Sequence, residues 1–97
     1  MPSYLSLLKW TDQGVHNIKA SPQRLDAFKH AAQAAGGRVI FFYSTMGEYD
    51  MVLLTELPND EVASRLLLSL GALGNVRSTT MKAFTEEEYR KIVASVP

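Results

Sequence analysis

The chain has 97 residues, 46% hydrophobic and 21% charged, with ten acids balancing ten bases. That length suits one domain, 1–97, on one core. The composition excludes wholesale disorder, zero net charge removes the electrostatic drive toward nucleic acid or an anionic membrane, and the lack of cysteine excludes disulfides and thiolate sites.

Residues 3–10 read as a first strand, with Tyr4, Ser6, Leu8 and Trp10 on one face and Leu5, Leu7 and Lys9 on the other. Thr11-Asp12-Gln13-Gly14 breaks that alternation, and Thr11 or Asp12 can cap a short helical turn carrying Val15 and Ile18. Ser21-Pro22 then starts a helix, hydroxyl at the N-cap and proline at the first helical position. Leu25, Phe28, Ala32 and Ala35 form its apolar stripe, and Gly36-Gly37 ends it.

A β-hairpin follows, with strands at about 38–45 and 49–56 joined through Met46-Gly47-Glu48. Gly47 supplies the positive φ that such a turn requires. Pro58-Asn59-Asp60-Glu61 opens a second long helix, with acids in the first turn where the macrodipole favours them. Its predicted buried stripe is Val62, Leu66, Leu70 and Leu73, with Gly74 as C-cap. Residues 75–84 alternate as a fourth strand, and Thr85-Glu86-Glu87-Glu88 matches a capping box for a tail helix expected to bury Tyr89, Ile92, Val93 and Val96.

The order βαββαβ predicts an α+β, ferredoxin-like fold: a four-stranded antiparallel sheet in the order 4-1-3-2, with both long helices on one face. The other face is then unaccounted for. Neither hairpin strand has a properly polar side: the alternate sets are Val39, Phe41, Tyr43 against Ile40, Phe42, Ser44 in one and Tyr49, Met51, Leu53 against Asp50, Val52, Leu54 in the next. A solvated face would alternate with polar residues, and an exposed apolar patch of that size marks association. Either a second copy covers it, giving a homodimer or higher homo-oligomer, or the tail helix folds back over its own sheet.

The chain resembles the GYD-domain family, named for a glycine-tyrosine-aspartate motif. The motif stands here as Gly47, Tyr49 and Asp50, and the likeness extends to Tyr4–Gly14, Ser21–Arg24 and Leu73–Arg77. The resemblance implies a ferredoxin-like domain of the dimeric α/β-barrel type. It implies no established activity, so no catalytic assignment comes with it.

In the predicted topology, one end of the sheet collects Trp10, Thr11, Tyr43, Thr45, Tyr49, Asp50 and Asn75, with His16 and Asn17 on the segment leaving the first strand. The opposite end offers only turn and cap residues, Gly36-Gly37, Pro58 and Thr85. Asp50 is either a general base or an acceptor of backbone N–H bonds from the turn or from the Thr11–Gly14 loop, which would lock the hairpin. His16 is the acid–base partner within reach in sequence, or an exposed helix-face residue. Trp10, Thr11, Tyr43, Tyr49 and Asn75 are candidate ligand-binding residues, the aromatics serving equally as core or interface. Arg24 and Arg77 can hold a carboxylate or phosphate, or be ordinary surface arginines.

With two histidines and no cysteine, no metal site is expected, and no nucleophile elbow or phosphate loop occurs. No apolar run approaches the ~20 residues of a membrane helix, and Met1–Leu5 lacks the layout of a secretion signal. The expectation is a cytoplasmic homo-oligomer without a cofactor. It would bind a small molecule with or without acid–base chemistry through His16 and Asp50, or else serve only as an assembly or regulatory module.

Overall fold

The computed structural model describes residues 1–97. Its strands are β1 (Ser3–Trp10), β2 (Arg38–Ser44), β3 (Met51–Glu56) and β4 (Val76–Ala83). Its helices are α1 (Asp12–His16), α2 (Ser21–Ala34), α3 (Asp60–Ala72) and α4 (Glu86–Ala94). The strands form one antiparallel sheet, β2-β3-β1-β4, the expected order read from the other edge. This is the α+β ferredoxin-like arrangement.

The central strand β1 carries the core on its Tyr4, Ser6, Leu8 and Trp10 side. Tyr4 packs with Ala32 of α2 and with Leu57, Ala63 and Leu66 in and before α3. Leu8 packs with Met51, Leu53 and Val76 of the neighbouring strands, and Phe28 of α2 touches both groups. The buried Ser6 hydroxyl pairs with Thr80 Oγ1 at 2.8 Å, so this polar pair in the core is satisfied.

Several expectations need correction. β2 and β3 are shorter at the hairpin than predicted, ending at Ser44 and starting at Met51, so Tyr49 and Asp50 lie in the connection rather than in a strand. Gly47 in that connection does take φ +124°. Strict alternation fails in β2, where the register shifts between Val39 and Phe41. The extra residue puts Val39 and Phe42 together against the core, while Phe41 and Tyr43 face the other side with rings 5.3 Å apart. Ser21 is already helical and makes no capping bond, because a 3-10 turn (Ile18–Ala20) runs straight into α2. Leu73, placed in the buried stripe of α3, is 60% exposed because it follows the last helical residue.

The tail helix is the largest departure. Its capping box forms, Thr85 Oγ1 accepting from Glu88 N and Glu88 Oε1 from Thr85 N. Yet Tyr89, Ile92, Val93 and Val96 are exposed, not buried. The helix therefore does not cover the second sheet face. Leu5, Leu7, Val52 and Leu54 on that face are half-buried, flanked by Phe41 and Tyr43 on one side and by Thr79 and Met81 on the other.

Past Trp10 the chain is clamped to the α3–β4 junction. Thr11 Oγ1 donates to Gly74 O and accepts from Gly14 N, Thr11 N donates to Asn75 O, and Gln13 Nε2 reaches Leu73 O. Gly14 is buried in this clamp, where a Cβ would stand 2.0 Å from the Asn75 carbonyl oxygen. Gly14→Ala is expected to cost on the order of 3 kcal/mol, read as a melting temperature lower by more than about 10 °C. Gly71→Ala, with nothing within 4 Å of its Cβ, is expected to be neutral or stabilising by about 0.5 kcal/mol.

Candidate functional site

The predicted end of the sheet does gather polar groups, and most of them hold the backbone together. Asp50 Oδ2 accepts from Trp10 N at 2.8 Å, Asp50 N donates to Leu8 O at 2.9 Å, and Thr45 N donates to Asp50 O at 2.8 Å. Thr45 Oγ1 donates to Tyr49 O at 2.6 Å. Asp50 thus stitches the hairpin connection onto the end of β1. The two neighbouring strands diverge there, and Trp10 N would otherwise have no partner on that side. Thr11 and Asn75 are committed similarly, Thr11 to the clamp and Asn75 Oδ1 to Gln13 Nε2 at 3.1 Å.

Beside this lock lies a cavity of ≈ 60 Å³ between the sheet and the helix pair. Leu8, Phe28, Phe42, Leu53, Leu70 and Val76 make most of its apolar wall, Trp10 contributes its ring, and Ser21, Arg24 and Asn75 are its polar residues. Trp10 and Asn75 are the predicted ligand-binding residues that line it. Tyr43 and Tyr49 do not. Tyr43 is 62% exposed on the open sheet face, and Tyr49 lies under Lys9 Nζ, 5.1 Å from the ring centroid.

His16 is exposed at the end of α1 and lines a polar depression with Gln13, Asn17 and Lys19, which adjoins the cavity through Arg24 and Asn75. It shares neither a hydrogen bond nor that depression with Asp50. Nowhere do three His, Asp or Glu side chains cluster as metal ligands. No helix is long and apolar enough to cross a membrane.

The sequence reading missed a polar cluster at the opposite end of the sheet. There the Tyr4 hydroxyl donates to Asp60 Oδ1, and Lys82 Nζ lies 3.2 Å from the same oxygen. Burial, reinforced by the Asp60 hydrogen bond and charge, pushes the Tyr4 phenol up to about 12. The Tyr4 hydroxyl and then Lys82 hold the Asp60 carboxyl below its usual range. Tyr4 is accordingly a fixed donor at neutral pH. Only its alternation was visible in the sequence, since its partners come from residues far along the chain.

With this geometry in place, the family can be stated. The model of the GYD domain matches residues 4–93, and the chain belongs to that family. It is 29% identical over 84 residues, 86% of this chain and 88% of the relative, to a Thermus thermophilus protein named glutamine synthetase and cystathionine beta-lyase binding protein. Among solved structures it is similar to a feast or famine regulatory protein from M. tuberculosis complexed with L-methionine. That match has a TM-score of 0.66 and 21% identity, and covers 88% of this chain but about half, 51%, of that one. A crystal structure of a Thermus thermophilus protein matches at TM-score 0.55 and 24% identity, over 88% of this chain and 95% of the other. These structural likenesses show the shared fold.

Two measurements follow from the polar contacts. Asp50→Ala strips Trp10 N of its acceptor and is expected to cost about 1–3 kcal/mol in chemical denaturation; Asp50→Asn keeps an oxygen acceptor there and is expected to cost clearly less. The Asp60 pKa is lower folded than unfolded, so its stabilisation is present above the unfolded carboxylate pKa and is lost as pH falls through the folded one. Acid titrations of stability for the wild type and Asp60→Asn are expected to converge below about pH 4 and to separate above it, the wild type being the more stable.

Proposed function

We propose that this GYD-domain protein is a self-associating binding protein of the regulatory type, which holds a small molecule and carries out no chemistry of its own. The observation behind the proposal is the second sheet face: apolar in its centre, covered by neither the paired helices nor the tail helix. Charges stand only toward its ends, where Arg38 pairs with Glu56 at 2.7 Å and where Lys9 and Arg77 face each other across β1 and β4. That layout suits a second copy packed sheet to sheet, burying the apolar centre on both sides. The exposed stripe of α4 is a further apolar surface that such an assembly can cover, and a nine-residue helix has little stability in water unless it docks.

The small-molecule part rests on the cavity between sheet and helices. The regulatory part draws support from the relatives: one is named for binding two enzymes, and one fold neighbour is a regulatory protein complexed with an amino acid. Acid–base catalysis has less behind it, because Asp50 is spent on the backbone and His16 lies in another depression.

Sedimentation at low micromolar concentration is expected to return at least the dimer mass for the wild type. Leu7→Arg, which puts a charge in the middle of the open face without touching the core, is expected to give the monomer with its secondary structure intact. A wild type that sediments as a monomer would contradict the proposal.

A further inference from the structure

The tail helix carries an apolar stripe that its own chain leaves bare, and the helix pair holds an apolar groove of matching length. On α4 and just past its end, Tyr89, Ile92, Val93 and Val96 are all exposed. Their spacing is i, i+3, i+4, i+7, that of a helix that lays one face into a groove. The groove runs between α2 and α3, and no strand residue lines it, so it opens away from the sheet. Its α2 wall is Arg24, Ala27, Phe28 and Ala31. Its α3 wall is Leu66, Ser69, Leu70 and, just past the helix, Leu73. Both walls repeat the spacing of the stripe, so each of the three rows is about 10.5 Å long at 1.5 Å per residue. Ala27, Ala31 and Ser69 are small and exposed, which lets a third helix come close, while Phe28, Leu66 and Leu70 give an apolar floor.

The chain's own α4 does not reach this groove. The helix α3 lies over β4 and α2 over β2, so α3 stands between the end of β4 and the groove. Only Phe84 and Thr85 join Ala83 to Glu86. That link spans at most about 10 Å, and a helix with its side chains is about 10–12 Å across. The charges of α4 argue against a membrane as the occupied surface. Three glutamates stand against Arg90 and Lys91, the reverse of the basic face that lies on anionic lipid. These charges also pair along the helix, Glu86 with Arg90 at 2.8 Å and Glu87 with Lys91 at 3.7 Å, so the polar side asks for no partner. The one charged residue lining the groove is Arg24, whose sign suits a net-acidic helix.

We propose that α4 is an arm that docks into the α2–α3 groove of a second copy of this chain and links sheet-paired dimers into larger assemblies. In a sheet-to-sheet dimer the groove faces outward, so the arm that fills it comes from another dimer. The contact is heterologous, arm to groove, and builds a ring or an open chain according to whether its rotation closes. One such arm buries far less than the roughly 800 Å² per partner of a stable interface, so single chains do not hold together by it. Where two dimers meet through two arms at once, the second contact is intramolecular and gains from effective concentration. The inference therefore rests on the self-association reading above.

The test is sedimentation of the full chain from low micromolar to millimolar concentration. The wild type is expected to pass from the dimer to a species of at least twice the dimer mass. Ile92→Glu with Val93→Glu alters the arm, and Ala31→Glu alters the groove, all at exposed helix positions. Each variant, with the circular dichroism of the wild type, is expected to remain a dimer, its dimer-to-dimer association weakened at least about tenfold. A spin label on Ser95→Cys, the chain having no other cysteine, reports the contact directly in a mixture with isotope-labelled, spin-label-free chains. It is expected to broaden the amide signals of Ala27, Ala31 and Ser69 in the labelled chains.

A wild type that keeps the dimer mass throughout overturns the arm-in-groove contact and leaves the sheet-to-sheet reading standing. Larger species that persist unchanged in both variants, or broadening confined to the open sheet face, overturn it likewise. A wild type that stays a monomer overturns both.

Discussion

Four strands with apolar side chains on both faces need two covering layers, and this chain provides one. The helices α2 and α3 close the face carrying Tyr4, Leu8 and Leu53, while the face carrying Leu7, Val52 and Leu54 is left to the solvent or to another molecule. Burying one such side chain is worth about 1.5–3 kcal/mol. A handful of them is therefore comparable to the stability margin of a small domain, about 5–15 kcal/mol. That imbalance is the physical reason for treating the second face as an interface and not as ordinary surface.

The two ends of β1 show how the sheet is held in register while its centre stays apolar. At one end, the Asp50 carboxylate and the Thr11 hydroxyl satisfy backbone groups that the diverging hairpin and the α3–β4 junction would leave unpaired. At the other, the buried phenol of Tyr4 is anchored to Asp60, itself paired with Lys82. The GYD motif is first a device for satisfying the backbone. Gly47 turns the hairpin, Tyr49 gives its carbonyl to Thr45, and Asp50 ties the turn to the central strand. Among the buried side-chain nitrogens and oxygens, the one left without a partner is Arg24 Nη2.

The element order, the strand order and most helix signals were legible in the sequence because they are local. Alternation in β1 and β4, the acids opening α3 and the Thr85–Glu88 capping box each depend on neighbours a few residues apart. The bulge at Ile40 was not legible, since every residue around it is apolar and alternation carries no contrast there. The exposure of Tyr89, Ile92 and Val93 was missed for a related reason: an amphipathic stripe says that a helix wants a partner, not that its own chain supplies one. The Tyr4–Asp60–Lys82 cluster and the solitary Arg24 nitrogen are long-range facts, visible only once the helices are laid on the sheet. For Asp50 the sequence posed the alternatives of base or acceptor from the turn or the Thr11–Gly14 loop, and the bond its carboxylate accepts comes instead from Trp10 N at the end of β1, a partner set by the pairing of strands far apart in the chain.

The most direct examination of the shielding argument is an isotope-filtered NMR experiment on a mixture of labelled and unlabelled chains. The account expects cross-peaks between copies, from the methyl groups of Leu7, Val52 and Leu54 in one chain to the rings of Phe41 and Tyr43 in the other. Absence of any such cross-peak, in a sample whose tumbling time is that of a single chain, would contradict it.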